Sequence, residues 1–514
     1  MTSELRLLLT PREAYQQEML HTVVASRMGV ERDSLKGILI RRRSLDARRT
    51  PVLVHVDLEA FVDNPFPGYS CYKPPVADVS KAEPVIIAGT GPAGIFAALT
   101  LIEHGRKPVL VERGREVSER MKDIAAIARI SAIDPDSNYC FGEGGAGAFS
   151  DSKLYTRSKK KGDTGKVLDI LYYHGAPESI LYDSHPHIGT DLLPDIVRKI
   201  RNTILEAGGE FHFNTRLTDI IINDGQVRGI VTNRDEKIEA GRLILATGHS
   251  ARDVYDLLHR KGLVLEMKGF AMGVRVEHPQ ELIDAIQYHG ERNAWLPAAF
   301  YRMTARAAGR GVYTFCMCPG GFIVPSATSN GEVVVNGMSP SGRDSSFANS
   351  GVVVELRAPD MDSYKTNGVF AGLRFQQFME KTACRYGGGG LIAPAQRLTD
   401  FMEGKMSTDL PATSYKPGVV SSPLHEWFPP VIRDSLRTGF RAFGQIMRGY
   451  YTAGAIVVGV ESRSSSPVRI PRNGDSLEHP QVKGLYPAGE GAGYAGGIVS
   501  SAIDGMNCAI QACR

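Results

Sequence analysis

Apolar residues in this chain come in short unbroken runs that end on glycine, and one such run is followed at once by a helical pattern. Pro84-Val-Ile-Ile-Ala88 has no polar position, as expected of a strand buried on both faces. Gly89-Thr-Gly91-Pro-Ala-Gly94 follows, and residues 95–101 continue as an apolar helix. Pro108-Val-Leu-Val111 is a second buried strand and ends on Glu112. Strand, glycines, helix, strand and acid at this spacing predict a dinucleotide-binding unit. Gly89 permits the tight turn, Gly91 lets backbone approach a pyrophosphate, and Gly94 lets the helix pack close to the strand. Pro92 and Ala93 open the helix, whose N–H groups and dipole favour phosphate. Glu112 is placed for ribose hydroxyls.

The same reading divides the rest of the chain. Gly142-Glu-Gly144-Gly145-Ala146-Gly147 fits the glycine spacing letter for letter. It follows the turn-forming Asp134-Pro-Asp-Ser-Asn138 rather than a strand, so it reads as a ligand-facing glycine loop and not a second nucleotide fold. Residues 1–75 predict a small α/β unit, with a helix over 15–24, strands over 37–40 and 51–56, and a proline-rich linker over 63–75. Residues 191–205 predict an amphipathic helix. Strands follow over 210–213, 217–222 and 226–231, with a hairpin turn at Asn223-Asp-Gly225 and Leu217 heading the middle strand. Residues 242–248 form another buried strand, ending on Gly248. Mixed strands and Gly/Pro-rich loops over 269–449 read as an inserted domain. Finally Leu485-Tyr-Pro-Ala-Gly489 is a strand that delivers Glu490 at its carboxyl end, with a helix from about residue 495. Gly496-Gly497-Ile498 opens that helix and would aim N–H groups at the pyrimidine edge of a flavin. The expected division is 1–80 for the N-terminal unit, 81–268 and 450–514 for the nucleotide domain, and 269–449 for the insert.

Composition narrows the partners. Lys+Arg 60 against Asp+Glu 56 gives a net charge of +4, small for 514 residues. The Arg41-Arg-Arg43 run hints at nucleic acid, yet residues 1–80 hold 11 Lys+Arg against 10 Asp+Glu, so a solvated face is the better reading. Lys159-Lys-Lys161 gets the same reading. No apolar run approaches the ~18 residues of a membrane span, and the first residues lack the apolar core of a signal peptide. Seven cysteines without a regular framework fit a reducing compartment, so the cytoplasm is expected.

With Gly89–Gly94, Glu112-Arg-Gly114, Ala246-Thr-Gly248 and Ala488-Gly-Glu490 in view, the chain resembles the glutathione-reductase-like flavoproteins. More narrowly, it resembles a widespread bacterial family of FAD-dependent dehydrogenases. The stretches that carry this are Arg41-Arg-Arg-Ser-Leu-Asp-Ala-Arg48, Phe141 to Asp151, Cys316-Met-Cys-Pro-Gly-Gly321, Glu461-Ser-Arg-Ser-Ser-Ser-Pro-Val-Arg469 and Gly489 to Gly497. The family usually has Thr near Ser464 and Gly near Ser152, a mild departure. The resemblance implies an α/β fold: a glutathione-reductase-like FAD/NAD(P)-binding Rossmann fold with an inserted α+β substrate domain and a small N-terminal α/β domain. It implies non-covalent FAD at Gly89, Gly91, Gly94, Glu112, Arg113, Gly145, Gly248 and Glu490. With their neighbours, the candidate cofactor contacts are also Pro92, Ala93, Gly144, Ala146, Leu217, Gly489, Gly497 and Ile498. It implies an oxidoreductase or dehydrogenase without naming its small-molecule substrate. A second nucleotide fingerprint is missing from the middle of the chain, which leaves NAD(P)H as a donor that docks only transiently against the flavin.

Cys316 and Cys318 are the candidate catalytic pair. On a regular strand they share one face with α-carbons ~6.6 Å apart, the upper edge of disulfide geometry. The plainer reading is two small buried hydrophobes. His185-Pro-His187 lacks further residues at metal-site spacing, so no metal is expected. Arg463 and Arg469 read either as anion binders or as surface arginines. Two rivals remain: a flavin-dependent RNA-modifying enzyme gripping RNA with the N-terminal unit, and a non-catalytic flavin-binding redox sensor.

Overall fold

A computed structural model describes residues 2–69, 72–149, 153–154, 162–291 and 293–514. The Lys159–Lys161 run, Ser150 to Ser152 of the second glycine stretch and Ser70-Cys71 of the linker lie outside them.

The N-terminal unit is a three-stranded antiparallel sheet, β1 (Thr2–Leu9), β2 (Leu35–Asp46) and β3 (Leu53–Val62), in the order β1-β3-β2. Helix α1 (Gln17–Met28) buries Leu20, Val24 and Ala25 against it. The helix starts later than its spacing predicts, because Gln16 is extended and Thr10 caps a separate short helix, Pro11–Tyr15. β1 went unread in the sequence, although Glu4, Arg6 and Leu8 are exposed and alternate with Leu5, Leu7 and Leu9 on the packed side.

Five parallel strands form the nucleotide sheet. They are β4 (Pro84–Ala88), β5 (Lys107–Val111), β6 (Glu210–His212), β10 (Leu243–Leu245) and β18 (Leu485–Pro487), in the order β18-β10-β4-β5-β6. Val85 and Ile87 of β4 pack into one core with α2 (Pro92–Glu103), α3 (Leu193–Glu206) and α7 (Ile498–Ala512). Ile86 and Ala88 pack into a second core with α4 (Arg252–Arg260) and the antiparallel sheet β7 (Leu217–Asn223), β8 (Gln226–Thr232) and β9 (Lys237–Glu239). Both faces are covered, so the strand has no polar position. Asp224 and Gly225 turn the β7–β8 hairpin with positive φ at both.

Two glycines set the close approach at this sheet. A Cβ on Gly94 would run into the Gly89 carbonyl. A Cβ on Gly505 in α7 would run into the Ala93 carbonyl, so α7 lies directly on the start of α2.

The insert carries a seven-stranded sheet. Its strands are β11 (Phe270–Pro279), β12 (Thr304–Ala307), β13 (Arg310–Cys318), β14 (Phe347–Leu356), β15 (Ala393–Arg397), β16 (Val419–Ser421) and β17 (Ile456–Glu461), in the order β12-β13-β14-β11-β17-β15-β16. Helices α5 (Ala371–Tyr386) and α6 (Pro430–Ile446) share its core. The expected boundary at 449 needs correction. β17 lies between β11 and β15 and pairs antiparallel with both, so the insert extends at least to Glu461. Among the described residues no helix is long and apolar enough to cross a membrane.

Candidate functional site

A cavity of about 340 Å³ opens at the carboxyl ends of β4, β10 and β18, where open α/β sheets take ligands. Of the candidate residues, Gly89, Gly91, Pro92, Ala93, Glu112, Arg113, Gly145, Ala146, Leu217, Gly248, Gly489, Glu490, Gly497, Ile498 and Cys316 line it. Three do not. Gly94 lies beneath the first turn. Gly144 faces away, since a Cβ there would meet Ala148 and Val197. Cys318 is fully buried behind the wall.

Glu112 does more than its position after β5 suggests. Its Oε2 accepts from the Thr90 amide at 3.0 Å and the Thr90 hydroxyl at 2.8 Å. Its Oε1 accepts from the amides of Gly114 and Gly142, each at 3.0 Å. One buried carboxylate therefore ties the first glycine turn to the second glycine loop. Arg120, unremarked in the sequence, holds that loop from behind. Its fully buried guanidinium donates to the carbonyls of Asn138, Gly142, Glu143 and Gly145. Burial lowers its pKa to about 10. Arg113 donates to both oxygens of Asp253 at 2.9 Å and lies 4.2 Å over the Phe141 ring.

The third glycine turn has a similar clamp. Asp504 of α7 accepts from the Gly489 amide at 2.7 Å and pairs with Arg472 at 2.6 Å. Glu490 then faces His249, with Oε2 3.4 Å from Nδ1. Residues Gly497, Ile498 and Ser501 bring the amino end of α7 to the cavity, and a Cβ on Gly496 or Gly497 would meet nothing within 4 Å.

The insert supplies the remaining wall: Phe315, Cys316, Ser326 and Asn336. The two cysteines do not share a face, which corrects the expectation from regular strand spacing. Pairing of β13 with β14 shifts between Phe315 and Cys318, a bulge with Cys316 at φ 45. The extra residue breaks the alternation, so Cys316 meets the cavity and Cys318 turns inward. Arg275, fully buried, holds the bulge. It donates twice to the Cys316 carbonyl at 3.2 Å and pairs with Glu461 at 2.7 Å and Asn349 at 2.7 Å. The Cys318 thiol donates to the same carbonyl at 3.3 Å.

Arg463 fits neither sequence reading. It is buried between Glu380 at 3.0 Å and Glu332 at 3.2 Å, and Arg252 of α4 reaches the same carboxylates. Burial works against ionised Glu380, but Arg463 and Arg252 outweigh it and hold its carboxyl well below the usual range. Burial, with Glu380 beside it, pushes Glu332 up. The cluster joins the insert to the nucleotide domain. Arg469 is the more exposed of the two and faces Glu266 at 3.7 Å. His187 bonds the Pro340 carbonyl and His185 packs on Phe300.

Family models match three stretches of the chain. Residues 83–272 match the pyridine nucleotide-disulphide oxidoreductase family model, and 269–464 match the C-terminal domain of FAD-dependent proteins. Residues 1–61 match a domain of unknown function. An uncharacterized protein of Clostridium beijerinckii is 45% identical over 434 residues, 84% of this chain and 80% of that protein. The chain belongs to this family of FAD-binding oxidoreductases. FAD is its cofactor. Among solved structures, CtdE in complex with FAD is similar at 14% identity over 84% of each chain, with a TM-score of 0.33. Glycine oxidase from Bacillus cereus is similar at 12% identity over 83% of this chain and 94% of that one, with a TM-score of 0.31.

The cavity fits the family's cofactor on its own terms. Bare backbone lines it at Gly91, Gly248, Gly496 and Gly497, and a buried nitrogen, His249 Nε2, lacks a protein partner. His249 went unread in the sequence, although it directly follows Gly248, in the turn after β10.

Proposed function

We propose that the protein transfers a hydride between a small-molecule substrate and non-covalently held FAD. One observation carries this: a single cavity is walled on one side by the three glycine turns and on the other by Phe315, Cys316, Ser326 and Asn336 of the insert. The first turn and the start of α2 would hold the pyrophosphate. Glu112 would meet the ribose, with the Thr90 hydroxyl the donor best able to rotate aside. Glu490 would take a ribityl hydroxyl, and the start of α7 would face the pyrimidine edge. When bound, FAD accepts or returns an electron pair as hydride. The residues of this chain bind and orient it, and the insert shapes the space left for substrate.

The partner is a small molecule, with NAD(P)H as a transient donor and no nucleic acid. An anaerobic stopped-flow screen tests this, using NADH, NADPH and a panel of alcohols, amines, thiols and hydroxy acids. At least one donor should bleach the bound flavin in a saturable phase. A flavin that no donor reduces would favour a non-catalytic sensor.

A further inference from the structure

The rest of the molecule leaves β1 (Thr2–Leu9) open along one side. The N-terminal sheet runs β1-β3-β2, and β2 is the strand that meets the nucleotide domain. There the Arg43 amide donates to the Tyr182 carbonyl at 2.9 Å, and the Ser184 amide donates to the Arg43 carbonyl at 3.0 Å. The Arg43 guanidinium holds both oxygens of Asp183, at 2.7 and 3.0 Å. β1 lies on the far side of β3 from that contact. Among the described residues β3 is the strand that pairs with β1, in unbroken register from Thr2↔Phe61 to Leu9↔Val54. In an antiparallel strand alternate residues turn their N–H and C=O away from the neighbour, so the outer side of β1 offers a row of donors and acceptors to another strand.

Proteins blunt such edges with proline, a bulge, charge or a very short strand. The edge strands β6, β16 and β18 of the two larger sheets have three residues each, and β12 has four. β1 has eight, with no proline and no bulge. Its guard is the pair Glu4 and Arg6, exposed on one face, and the two have opposite signs. Neither forms an ion pair among the described residues. Their own sheet offers them poor partners. Glu4 lies opposite Glu59, which Arg41 holds at 2.7 Å. Arg6 lies opposite Asp57, which Arg42 flanks from the other side. On the other face Leu5 and Leu7 are half-buried at the margin of the small core.

We propose that β1 pairs antiparallel with β1 of a second copy of this chain, about a two-fold axis at Leu5. The two three-stranded sheets then join into one of six strands. This register sets Glu4 opposite the partner's Arg6 and Arg6 opposite the partner's Glu4, so each charge gains the counterpart it lacks. Leu5 meets the partner's Leu5 on the other face and extends the core across the edge. An axis at Glu4 would oppose two glutamates, and an axis at Arg6 two arginines, both unfavourable. The charge pattern therefore selects both the occupant and the register. An unrelated strand would gain the backbone bonds alone, whereas the same strand reversed is complementary to itself.

Sedimentation velocity on the whole, FAD-loaded chain tests this, from low to high micromolar concentration. Wild type should form a dimer. Glu4→Arg and Arg6→Glu each turn both opposite-charge contacts into like-charge ones. Each should raise the dimer dissociation constant about tenfold or more. Glu4→Arg then carries two arginines at the edge and Arg6→Glu two glutamates. Mixing the two single variants should restore a dimer, and so should the double exchange E4R/R6E. Misfolded single variants could not recover on mixing, which separates lost complementarity from lost structure. None of these residues lines the cavity, so FAD content serves as the check on folding. A wild type that stays monomeric throughout would overturn the proposal. So would a dimer that both single variants keep at full strength, or one that neither mixing nor the double exchange restores.

Discussion

Glu490 lines the cavity at the carboxyl end of β18, beside His249. If it accepts from a ribityl hydroxyl, Glu490→Ala leaves that hydroxyl unpaired and weakens FAD binding by about 1–3 kcal/mol, with Glu490→Gln doing less harm. FAD titration of the deflavinated variants checks this, and equal affinity in wild type and Glu490→Ala would remove the role. Cys316 and Cys318 differ in access, so a small alkylating reagent should modify Cys316 well before Cys318 in the native protein, as peptide mass spectrometry would show. Equal rates would mean the bulge is not rigid. His278 gives a pH dependence away from the site. Burial lowers its pKa from 6.5 to about 4, while it contacts the Tyr450 carbonyl at 2.8 Å. The unfolded chain then binds the proton more readily between those values. Stability is therefore complete above about pH 6.5 and declines as the pH falls toward 4, by on the order of 3 kcal/mol from this residue. Denaturant unfolding across that range should show the decline, and it should shrink in His278→Gln. At this scale the spacing in the sequence brought Gly89, Glu112 and Glu490 to one cavity. It was silent on Arg120, Arg275 and Asp504, because what they do depends on partners brought from distant parts of the chain.

Elements were most legible where both faces are covered or where a helix follows a glycine turn. The strand Pro84–Ala88 and the helix after it came directly from their apolar pattern. The bulge in β13 did not, since nothing in Tyr-Thr-Phe-Cys-Met-Cys announces an extra residue, and Arg275 must arrive from β11 to hold it. A non-glycine residue at φ 45 costs about 1–3 kcal/mol, which the buried clamp offsets. On helix α7 the close packing and the proposed cofactor contact fall on different glycines. A Cβ on Gly505 meets backbone of α2, while a Cβ on Gly497 meets open space. Gly505→Val should therefore lower the melting temperature of the protein with and without FAD. Gly497→Val should leave the deflavinated protein's melting temperature unchanged and lower flavin occupancy or shift its absorbance. Normal FAD affinity and a normal spectrum in Gly497→Val would refute the placement of α7.

The molecule as a whole joins a parallel nucleotide sheet, an antiparallel insert and a small N-terminal sheet. Order along the chain revealed the first and the existence of the second. It did not reveal that β17, the last strand of the insert before the chain returns to β18, completes the middle of the insert's sheet. Long-range pairing decided that, and strand pattern alone carries no register. The Arg463 cluster likewise could not be read ahead of the fold, because Glu332, Glu380 and Arg252 come from three separate segments. In the proposed function the insert forms the substrate side of a cavity whose other side holds FAD. The most direct test is anaerobic single-turnover reduction of the bound flavin in wild type and in Asn336→Ala, with the donor that proves fastest. Both proteins should carry full FAD content, and the reduction rate or donor affinity should change with the substitution. Unchanged rate and affinity across the donor's whole concentration range would contradict that role of the insert.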